Sequence, residues 1–212
     1  MKIPLEAVIQ LLHDNGQGAL ATHSQCMPGY PFASVLPFAL DEAHCPVFLI
    51  SGLAEHTRNV RADGRASLVV QPSEHTEPEA SARLTLIGDV TPLGEDPLFT
   101  RRYLRFQPGG DRYLNLGDFG FFRFRPRRLR LVAGFGQMGW IGEEEWAQLP
   151  ILPYEAENAL LEQIPERHAA IGIDCFGVDH LQEGRRWRHS FPRAVPPEQL
   201  PATLESLGLL GE

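Results

Sequence analysis

The chain has 212 residues, 43% of them hydrophobic, and a formal net charge of −8. This hydrophobic content suffices for a packed core, and the length suits one domain or one domain with a small addition. The acidic balance excludes a general attraction to nucleic acid or to an anionic membrane. Lys2 is the only lysine, which excludes a Schiff-base or P-loop lysine from the body of the chain.

The cysteines and the hydropathy pattern indicate where the protein works. Cys26, Cys45 and Cys175 are scattered, so they form neither a disulfide framework nor a CxxC metal knuckle. This cysteine usage predicts a reducing cytoplasm. No apolar run is long enough to cross a bilayer, and the N-terminal stretch is amphipathic, so we expect neither a signal peptide nor a membrane span.

The first part of the chain is predicted to be a helix followed by a meander of hairpins. Pro4 suits a first helical turn, apolar residues follow at helical spacing, and Asn15-Gly16 ends the helix. Turns rich in proline, glycine or aspartate then separate three predicted strands, at residues 19–24, 32–40 and 46–50.

The stretch from Ser51 to Val70 combines a strand end, a short helix and a second strand. Ser51 is predicted to cap the helix, which Asp63-Gly64 ends. Polar side chains crowd the start of this helix, namely Ser51, His56, Thr57, Arg58 and Asn59. Because backbone N–H groups at a helix start attract anions, these side chains can complete a phosphate cradle. A capped surface helix with a solvated polar face is the alternative interpretation.

A polar, acidic loop over residues 71–81 leads into a predicted strand at 82–91. Gly88 inside this strand indicates a bulge or the close approach of another group. A helix is predicted over residues 97–106.

Two further β-prone stretches, at residues 118–124 and 129–135, are predicted to form a hairpin through the turn RPRR. A basic stripe runs along this hairpin, formed by Arg123, Arg125, Arg127, Arg128 and Arg130. We interpret the stripe as an ordinary outer strand face rather than a nucleic-acid surface, because the chain is acidic and the stretch alternates.

The glycines Gly134, Gly136 and Gly139 spell GxGxxG. The dinucleotide fingerprint needs a helix directly after the glycines and a strand–helix–strand unit around them, and neither pattern is present. We therefore reject a dinucleotide site and expect these glycines to let the strand bend or pass close to a flat group.

Residues 151–212 are predicted to form a small α+β addition. Its helices are expected at residues 154–168 and 197–207, and its strands at 169–176 and 187–191. His168, His180 and His189 show no zinc spacing, and we interpret them as surface residues or residues whose polar atoms are satisfied.

The predicted elements define a mainly β, α+β fold class. About six or seven strands precede residue 140, and their hairpin-rich order suits a closed or partly closed antiparallel barrel. We expect a barrel domain at residues 1–150 and a small C-terminal α+β domain at 151–212.

The order of several motifs resembles a known family. GALAT (Gly18 to Thr22) is followed by YPFASVLPFALD, SGLAEHTRN, ARLTLIGDV, PGG, LGDFGFFRFRP and GFGQMGWI. This series is similar to the FMN-binding split-barrel family related to pyridoxamine 5′-phosphate oxidase. It is most similar to the branch that carries a C-terminal α+β domain and includes heme-degrading oxygenases.

The resemblance implies a homodimer that binds FMN in a groove at the subunit interface and acts on a small-molecule substrate. It implies that Ser34, Val35, Leu36 and Pro37 lie along the isoalloxazine ring. It further implies that Ser51, His56, Thr57 and Asn59 hold the phosphate, with Arg58 as a charge partner. Gln137 and Trp140 would approach the cofactor from the partner subunit. The flavin would supply the redox chemistry, so we expect an FMN-dependent oxidoreductase.

Two alternatives stay open. The same branch includes proteins that bind heme in this cleft through a histidine of the tail and degrade it, so heme is the second cofactor prediction, with His168, His180 and His189 as candidate ligands. The third possibility is a non-catalytic dimer that binds FMN or another anion as a sensor or carrier.

Overall fold

The computed structural model describes residues 4–72, 81–133 and 138–210. Eight antiparallel strands form its main sheet: β1 (Gln17–His23), β2 (Pro31–Pro37), β3 (Ala39–Leu40), β4 (Pro46–Ser51), β5 (Arg65–Val70), β6 (Arg83–Pro92), β7 (Phe119–Val132) and β8 (Met138–Gly142). Their order is β2-β1-β5-β6-β7-β4-β3, with β8 paired to β7. The two ends of this order, β2 and β3, are separated in the chain by Phe38 alone. The sheet therefore curls into a split barrel whose ends are joined by the chain itself. The predicted antiparallel barrel fold is confirmed.

Helices cover the barrel and its ends. They are α1 (Leu5–Asp14), α2 (Glu55–Ala62), α3 (Pro97–Phe106), α4 (Asp111–Leu114), α5 (Glu143–Ala147), α6 (Tyr154–Leu161) and α7 (Leu200–Ser206). A second sheet near the C-terminus has the order β11-β10-β9, with β9 at Ala170–Asp174, β10 at Gly177–Gln182 and β11 at Arg185–Ser190. Side chains from α1, the barrel interior, β9 and α7 share one hydrophobic cluster. The boundary between residues 150 and 151 stays a prediction.

The predicted hairpin over residues 118–135 is wrong. The segment is one strand of 14 residues, β7, which pairs with β6 along one edge and with β4 and then β8 along the other. Pro126 is accommodated because it lies opposite Gly88 at a shift of register between Ile87 and Gly88. A bulge tolerates a proline, since the ladder hydrogen bond is already interrupted there. The predicted role of Gly88 is thereby confirmed.

Other element bounds differ for local reasons. Pro37 ends β2, so the predicted strand over residues 32–40 is divided in two. Helix α2 begins at Glu55, and its N-cap residue Ala54 makes no side-chain cap hydrogen bond. Ser51 instead accepts a hydrogen bond from the backbone N–H of Leu53 at 3.0 Å, so it stabilises the preceding turn and does not cap the helix.

The C-terminal part contains a strand that the sequence pattern did not predict. The segment LQEGRR, which precedes the second predicted strand, contains the hairpin turn between β10 and β11. Glu183 and Gly184 both have positive φ, 51° and 76°, as a two-residue hairpin turn of the I′ type requires. The predicted helices were also too long, because α6 ends at Leu161 and α7 begins at Leu200.

No helix in the described ranges is long and apolar enough to cross a bilayer. Cys26, Cys45 and Cys175 all lie in those ranges as free thiols, and the cytoplasmic setting stays a prediction.

The bulge makes Gly88 sensitive to substitution. A Cβ at this position would overlap the carbonyl oxygen of Arg125. Overpacking against backbone cannot relax through a rotamer change, so Gly88→Ala is expected to lower the free energy of unfolding by about 3 kcal/mol. Denaturant unfolding measures this change. Gly94→Ala is the matched control, because a Cβ there meets no atom of the described structure within 4 Å. Equal stability of the two variants would contradict the close approach of Gly88 to the backbone of β7.

Candidate functional site

Six neighbouring strands present one broad surface that points away from the barrel interior. One row of paired residues runs Val35, Ala19, Val69, Thr85, Arg130 and Trp140, and the next runs Ala33, Ala21, Ser67, Ile87 and Arg128. We call these eleven residues the outer face. Strand alternation produces it, because the intervening residues, such as Leu20, Leu68 and Leu86, are buried in the barrel.

The outer face has an apolar floor and a cationic end. Small side chains (Ala19, Ala21, Ala33 and Ser67) make up its middle, beside Val35, which is 66% exposed. At the other end Trp140 lies against two guanidinium groups, with its ring centroid 3.9 Å from Arg128 Cζ and 5.2 Å from Arg130 Cζ. In the described part of the chain neither arginine is within ion-pair distance of a carboxylate. Both charges are therefore available to an anionic ligand.

A groove of about 520 Å³ crosses one side of the outer face. Ala21, Ser67 and Ile87 contribute to its floor, and His23 lies at its margin. His23 is exposed because it ends β1 with the same outward orientation as Ala19 and Ala21. The groove thus combines an apolar floor with an accessible imidazole.

Two other arginines of the basic stripe, Arg123 and Arg127, are already paired. Arg123 Nε lies 2.6 Å from Asp41 Oδ2. Arg127 bridges Asp89 at 2.8 Å and Glu143 at 2.6 Å. The stripe therefore separates into structural ion pairs and the pair beside Trp140, which extends our interpretation of it as an ordinary strand face.

The polar residues at the start of α2 divide into two groups. Ser34 Oγ lies 3.3 Å from His56 Nδ1. Burial lowers the pKa of His56, so a positive charge on its ring is disfavoured. Ser34 and His56 thus form a partly accessible polar pair beside β2, and Arg58, two residues after His56 on α2, is exposed separately.

The other residues at the start of α2 are engaged within the protein. Asn59 is completely buried, donates from Nδ2 to Thr22 Oγ1 at 3.0 Å and accepts at Oδ1 from Gln25 N at 2.9 Å. Thr57 is also completely buried. Ser51 Oγ donates to the carboxylate of Asp118 in a short hydrogen bond.

The four predicted ring contacts on β2 do not share a face. Val35 and Pro37 point outward, whereas Leu36 is buried and Ser34 turns toward α2. Trp140 lies on the outer face and is 42% exposed. Gln137 lies outside the described residues.

The tail histidines have different surroundings. His180 is buried, its Nδ1 lies 2.7 Å from the carbonyl oxygen of His168, and Trp187 stacks on its ring with centroids 3.9 Å apart. His189 is exposed on β11. His168 is half-buried, so His189 is the most exposed of the three.

The sequence interpretation missed His23 as a site residue. The signal was present, because strict alternation in GALATH places His23 on the same side of β1 as Ala19 and Ala21. The cationic end was harder to find, because Arg128 and Arg130 face outward only after the bulge in β7.

The barrel with its chain-joined ends, its helix α2 beside β2 and its open outer face defines a split β-barrel protein. Residues 7–148 match the family model described as CREG, beta-barrel, and the chain belongs to this CREG-like split β-barrel family. A solved structure of the pyridoxinephosphate oxidase family from Clostridium acetobutylicum shares the fold, so the split-barrel fold that the sequence motifs implied is confirmed.

Three comparisons extend over nearly the whole chain. It is 28% identical over 207 residues to the non-canonical heme oxygenase HOZ of Arabidopsis thaliana chloroplasts, covering 97% of this chain and 61% of that protein. The chain thus spans about three fifths of the length of this relative. A heme binding protein from Mycobacterium smegmatis is 26% identical, with 98% and 97% of the two chains covered and a TM-score of 0.62. Protein Atu2129 of Agrobacterium tumefaciens, of unknown function, is 24% identical, with 96% and 95% covered and a TM-score of 0.75.

The contacts of Asn59 and Thr57 lead to opposite expectations for stability. Asn59→Ala leaves the buried hydroxyl of Thr22 without its donor and the N–H of Gln25 without its acceptor, so we expect a loss of about 2–3 kcal/mol in the free energy of unfolding. In the described part of the chain Thr57 Oγ1 has no hydrogen-bond partner, so Thr57→Val is expected to leave stability unchanged or to raise it. Denaturant unfolding of both variants tests the pair, and an Asn59→Ala protein as stable as the parent would refute the structural role of Asn59.

Proposed function

We propose that this protein binds heme on the outer face, between two copies of the chain. The supporting observation is the arrangement of that face, in which an apolar floor lies between an exposed histidine and two arginines beside a tryptophan. These are the groups that a flat iron macrocycle with two carboxylates would use.

Each part of the ligand has a suitable counterpart. Small floor residues leave room for a flat ring, and Trp140 offers an aromatic edge or face to it. Arg128 and Arg130 suit the carboxylates, because a guanidinium group binds a carboxylate through paired hydrogen bonds. An imidazole is a common protein ligand of heme iron, and His23 is the candidate that the groove contains. Bound heme would supply redox chemistry, while these residues would bind and orient it.

The relatives support heme over other flat anions. The structure from M. smegmatis that matches this chain nearly end to end is a heme binding protein, and the Arabidopsis relative is named a heme oxygenase. Because the chain spans about three fifths of that relative, heme degradation is a separate proposal. Loss of the heme spectrum after addition of a reductant in air would support it, whereas a stable spectrum would favour a carrier or sensor.

The outer face also supports the proposed homodimer. Val35 and Ile87 are 66% and 44% exposed on a sheet surface that is otherwise made of small residues. Continuous apolar surface of this kind indicates an interaction site. We propose that a second copy of the chain covers this surface, because in a two-fold symmetric dimer the same face of each copy packs against the other.

FMN is the second candidate, and the contact between Ser34 and His56 beside the exposed Arg58 favours it. Three observations weaken it. Thr57 and Asn59 are buried, Ser51 is bonded to the carboxylate of Asp118, which would repel a phosphate, and burial disfavours a positive charge on His56. We therefore place FMN and its oxidoreductase chemistry behind heme.

Hemin titration tests the cationic end. We expect a Soret band that saturates on addition of hemin to the full chain, with affinity lowered about 10- to 100-fold in the double variant Arg128→Ala and Arg130→Ala, because two charge-assisted contacts are lost. Arg112→Ala is the matched control, since Arg112 is also an exposed arginine stacked on an aromatic ring, that of Tyr113 at 4.6 Å. Equal affinity in the double variant and the control would overturn the assignment.

The iron ligand is tested by the position of the Soret band. His23→Ala is expected to shift the band of the hemin complex, because the iron loses an imidazole. His189→Ala is the control and is expected to leave it in place, and the reverse result would assign the ligand to the tail. In parallel, an FMN titration with His56→Ala tests the second candidate. Flavin bound by the parent chain and lost in this variant, without effect of the arginine changes, would favour FMN.

The homodimer is tested by introducing charge into the outer face. The double variant Val35→Glu and Ile87→Glu is expected to be monomeric in light scattering coupled to gel filtration, because unpaired carboxylates would be buried on pairing. Leu53→Glu is the control, since Leu53 is 77% exposed on the turn before α2, away from the outer face. A parent chain that is already monomeric would contradict the proposal.

A further inference from the structure

We propose that His13, His44 and Asp174 form a binding site for a divalent transition-metal ion of the zinc class. One ligand atom from each side chain lies within 4.8 Å of the others. All three residues are buried, with at most 5% of their surface exposed. They come from the last turn of α1, the turn between β3 and β4, and the end of β9. The ion would thus join the barrel to the C-terminal sheet, and this inference does not depend on heme binding.

In either neutral tautomer of His13, the ring nitrogen without a proton faces a carboxylate oxygen, so two hydrogen-bond acceptors lie opposite each other. His13 Nδ1 lies 3.0 Å from Asp179 Oδ2, and His13 Nε2 lies 2.9 Å from Asp174 Oδ2. A neutral imidazole has a single N–H. If Nδ1 carries the proton toward Asp179, the Nε2 lone pair faces the oxygen of Asp174. If Nε2 carries it, Nδ1 faces Asp179 in the same way, although Arg188 Nη1 then lies within reach of Nδ1 at 3.1 Å.

A cation bound by His13 Nε2 and Asp174 Oδ2 would remove the repulsion between the lone pairs of these two atoms. In tetrahedral zinc sites with bonds of about 2.1 Å, donor atoms lie about 3.4 Å apart, so His13 Nε2 and Asp174 Oδ2, which are 2.9 Å apart, would move apart by about 0.5 Å to share an ion. Among the described residues, neither of these two atoms makes a hydrogen bond of suitable geometry. They are therefore available as ligands.

Both histidines have the outer contacts that metal-binding histidines usually make. The ring nitrogen opposite the ligand atom normally donates to a carboxylate or a backbone carbonyl, which fixes the tautomer. For His13 this acceptor is Asp179. For His44 it is the carbonyl oxygen of Pro150, 3.2 Å from Nε2, which leaves the Nδ1 lone pair for the ion. Asp174 is held by Phe176 N at 2.6 Å and Arg188 Nη2 at 2.7 Å, both on Oδ1, so Oδ2 stays available.

Four charged side chains surround the proposed ligands. Asp174 and Asp179 carry two negative charges, and Arg188, which pairs with both, carries one positive charge. Arg186 adds a second positive charge and donates to the carbonyl oxygen of His13 at 2.7 Å. The facing atoms of His13 and Asp174, rather than a surplus of negative charge, therefore favour a cation. A proton on His13 is the alternative partner of the two carboxylates. That arrangement gives no role to His44, whose ring lies edge-on to that of His13 with centroids 6.3 Å apart.

Metal analysis of the untagged full chain tests the proposal. The protein is treated with a chelator, dialysed, and titrated with Zn²⁺ alone and with Co²⁺ alone. We expect one ion per chain, a higher melting temperature with Zn²⁺, and the visible absorption bands of four-coordinate Co²⁺. The Co²⁺ spectrum needs no variant, so it tests the site even if a substitution impairs folding. Absence of binding and of any rise in melting temperature in the parent chain would overturn the proposal in favour of a protonated His13.

His44→Asn is the informative variant, because asparagine tolerates the positive φ of 58° at this position. We expect it to weaken Zn²⁺ binding more than about 100-fold, beyond the effect of losing an outer-shell contact. Its melting temperature should no longer respond to Zn²⁺. His189→Asn, a substitution of an exposed histidine, is the control and should bind like the parent chain. Equal Zn²⁺ binding by His44→Asn would also refute the site.

Discussion

The bulge at Gly88 and Pro126 determines which side chains of β7 lie on the outer face. Before it, Phe122 and Phe124 point into the barrel, and after it Leu129 and Leu131 do so. The phase of alternation changes at this point because β7 has one extra residue opposite β6. Without that residue, Arg128 and Arg130 would point into an apolar core, where two unpaired guanidinium groups are untenable. The cationic end of the outer face thus exists because Gly88 has no Cβ and Pro126 needs no ladder hydrogen bond.

The segment around the bulge also shows which parts of the fold the sequence can predict. Most strands were found because their alternation or apolar runs are local signals, and Gly88 was identified as a bulge because a glycine inside a strand has few other uses. The hairpin over residues 118–135 was predicted wrongly, since RPRR has turn-like composition and its extended conformation depends on pairing with β6 and β8. Strand β10 was missed because each of its flanking turns is short. Pairing with strands that are distant in the chain determines the conformation of both segments, and a local sequence pattern does not reveal such pairing.

The start of α2 shows why the candidate site was only partly predictable. Ser51, Thr57 and Asn59 look alike in the sequence, as short polar residues beside a helix start. In the structure Asn59 holds the chain near Thr22 and Gln25, and Ser51 holds Asp118. A polar residue can satisfy the backbone or a ligand, and its sequence neighbours do not distinguish the two uses. The residues that stay accessible, Ser34, His56 and Arg58, come from two different elements.

The attachment of the C-terminal part bears on where an iron ligand can come from. Glu157 on α6 binds Arg102 and Arg105 on α3, and Arg188 on β11 binds Asp174 and Asp179 beside His13 of α1. Buried ion pairs contribute little net stability, but breaking one leaves a charge uncompensated, so they favour one docked position of the tail over others. Within that docked tail His180 already lies under Trp187 and against the carbonyl of His168. Iron binding by His180 would require Trp187 to leave, whereas His23 is already exposed on the groove. His23 could therefore meet the proposed heme iron without rearrangement, whereas in the tail the exposed His189, and not His180, is the histidine that could do the same.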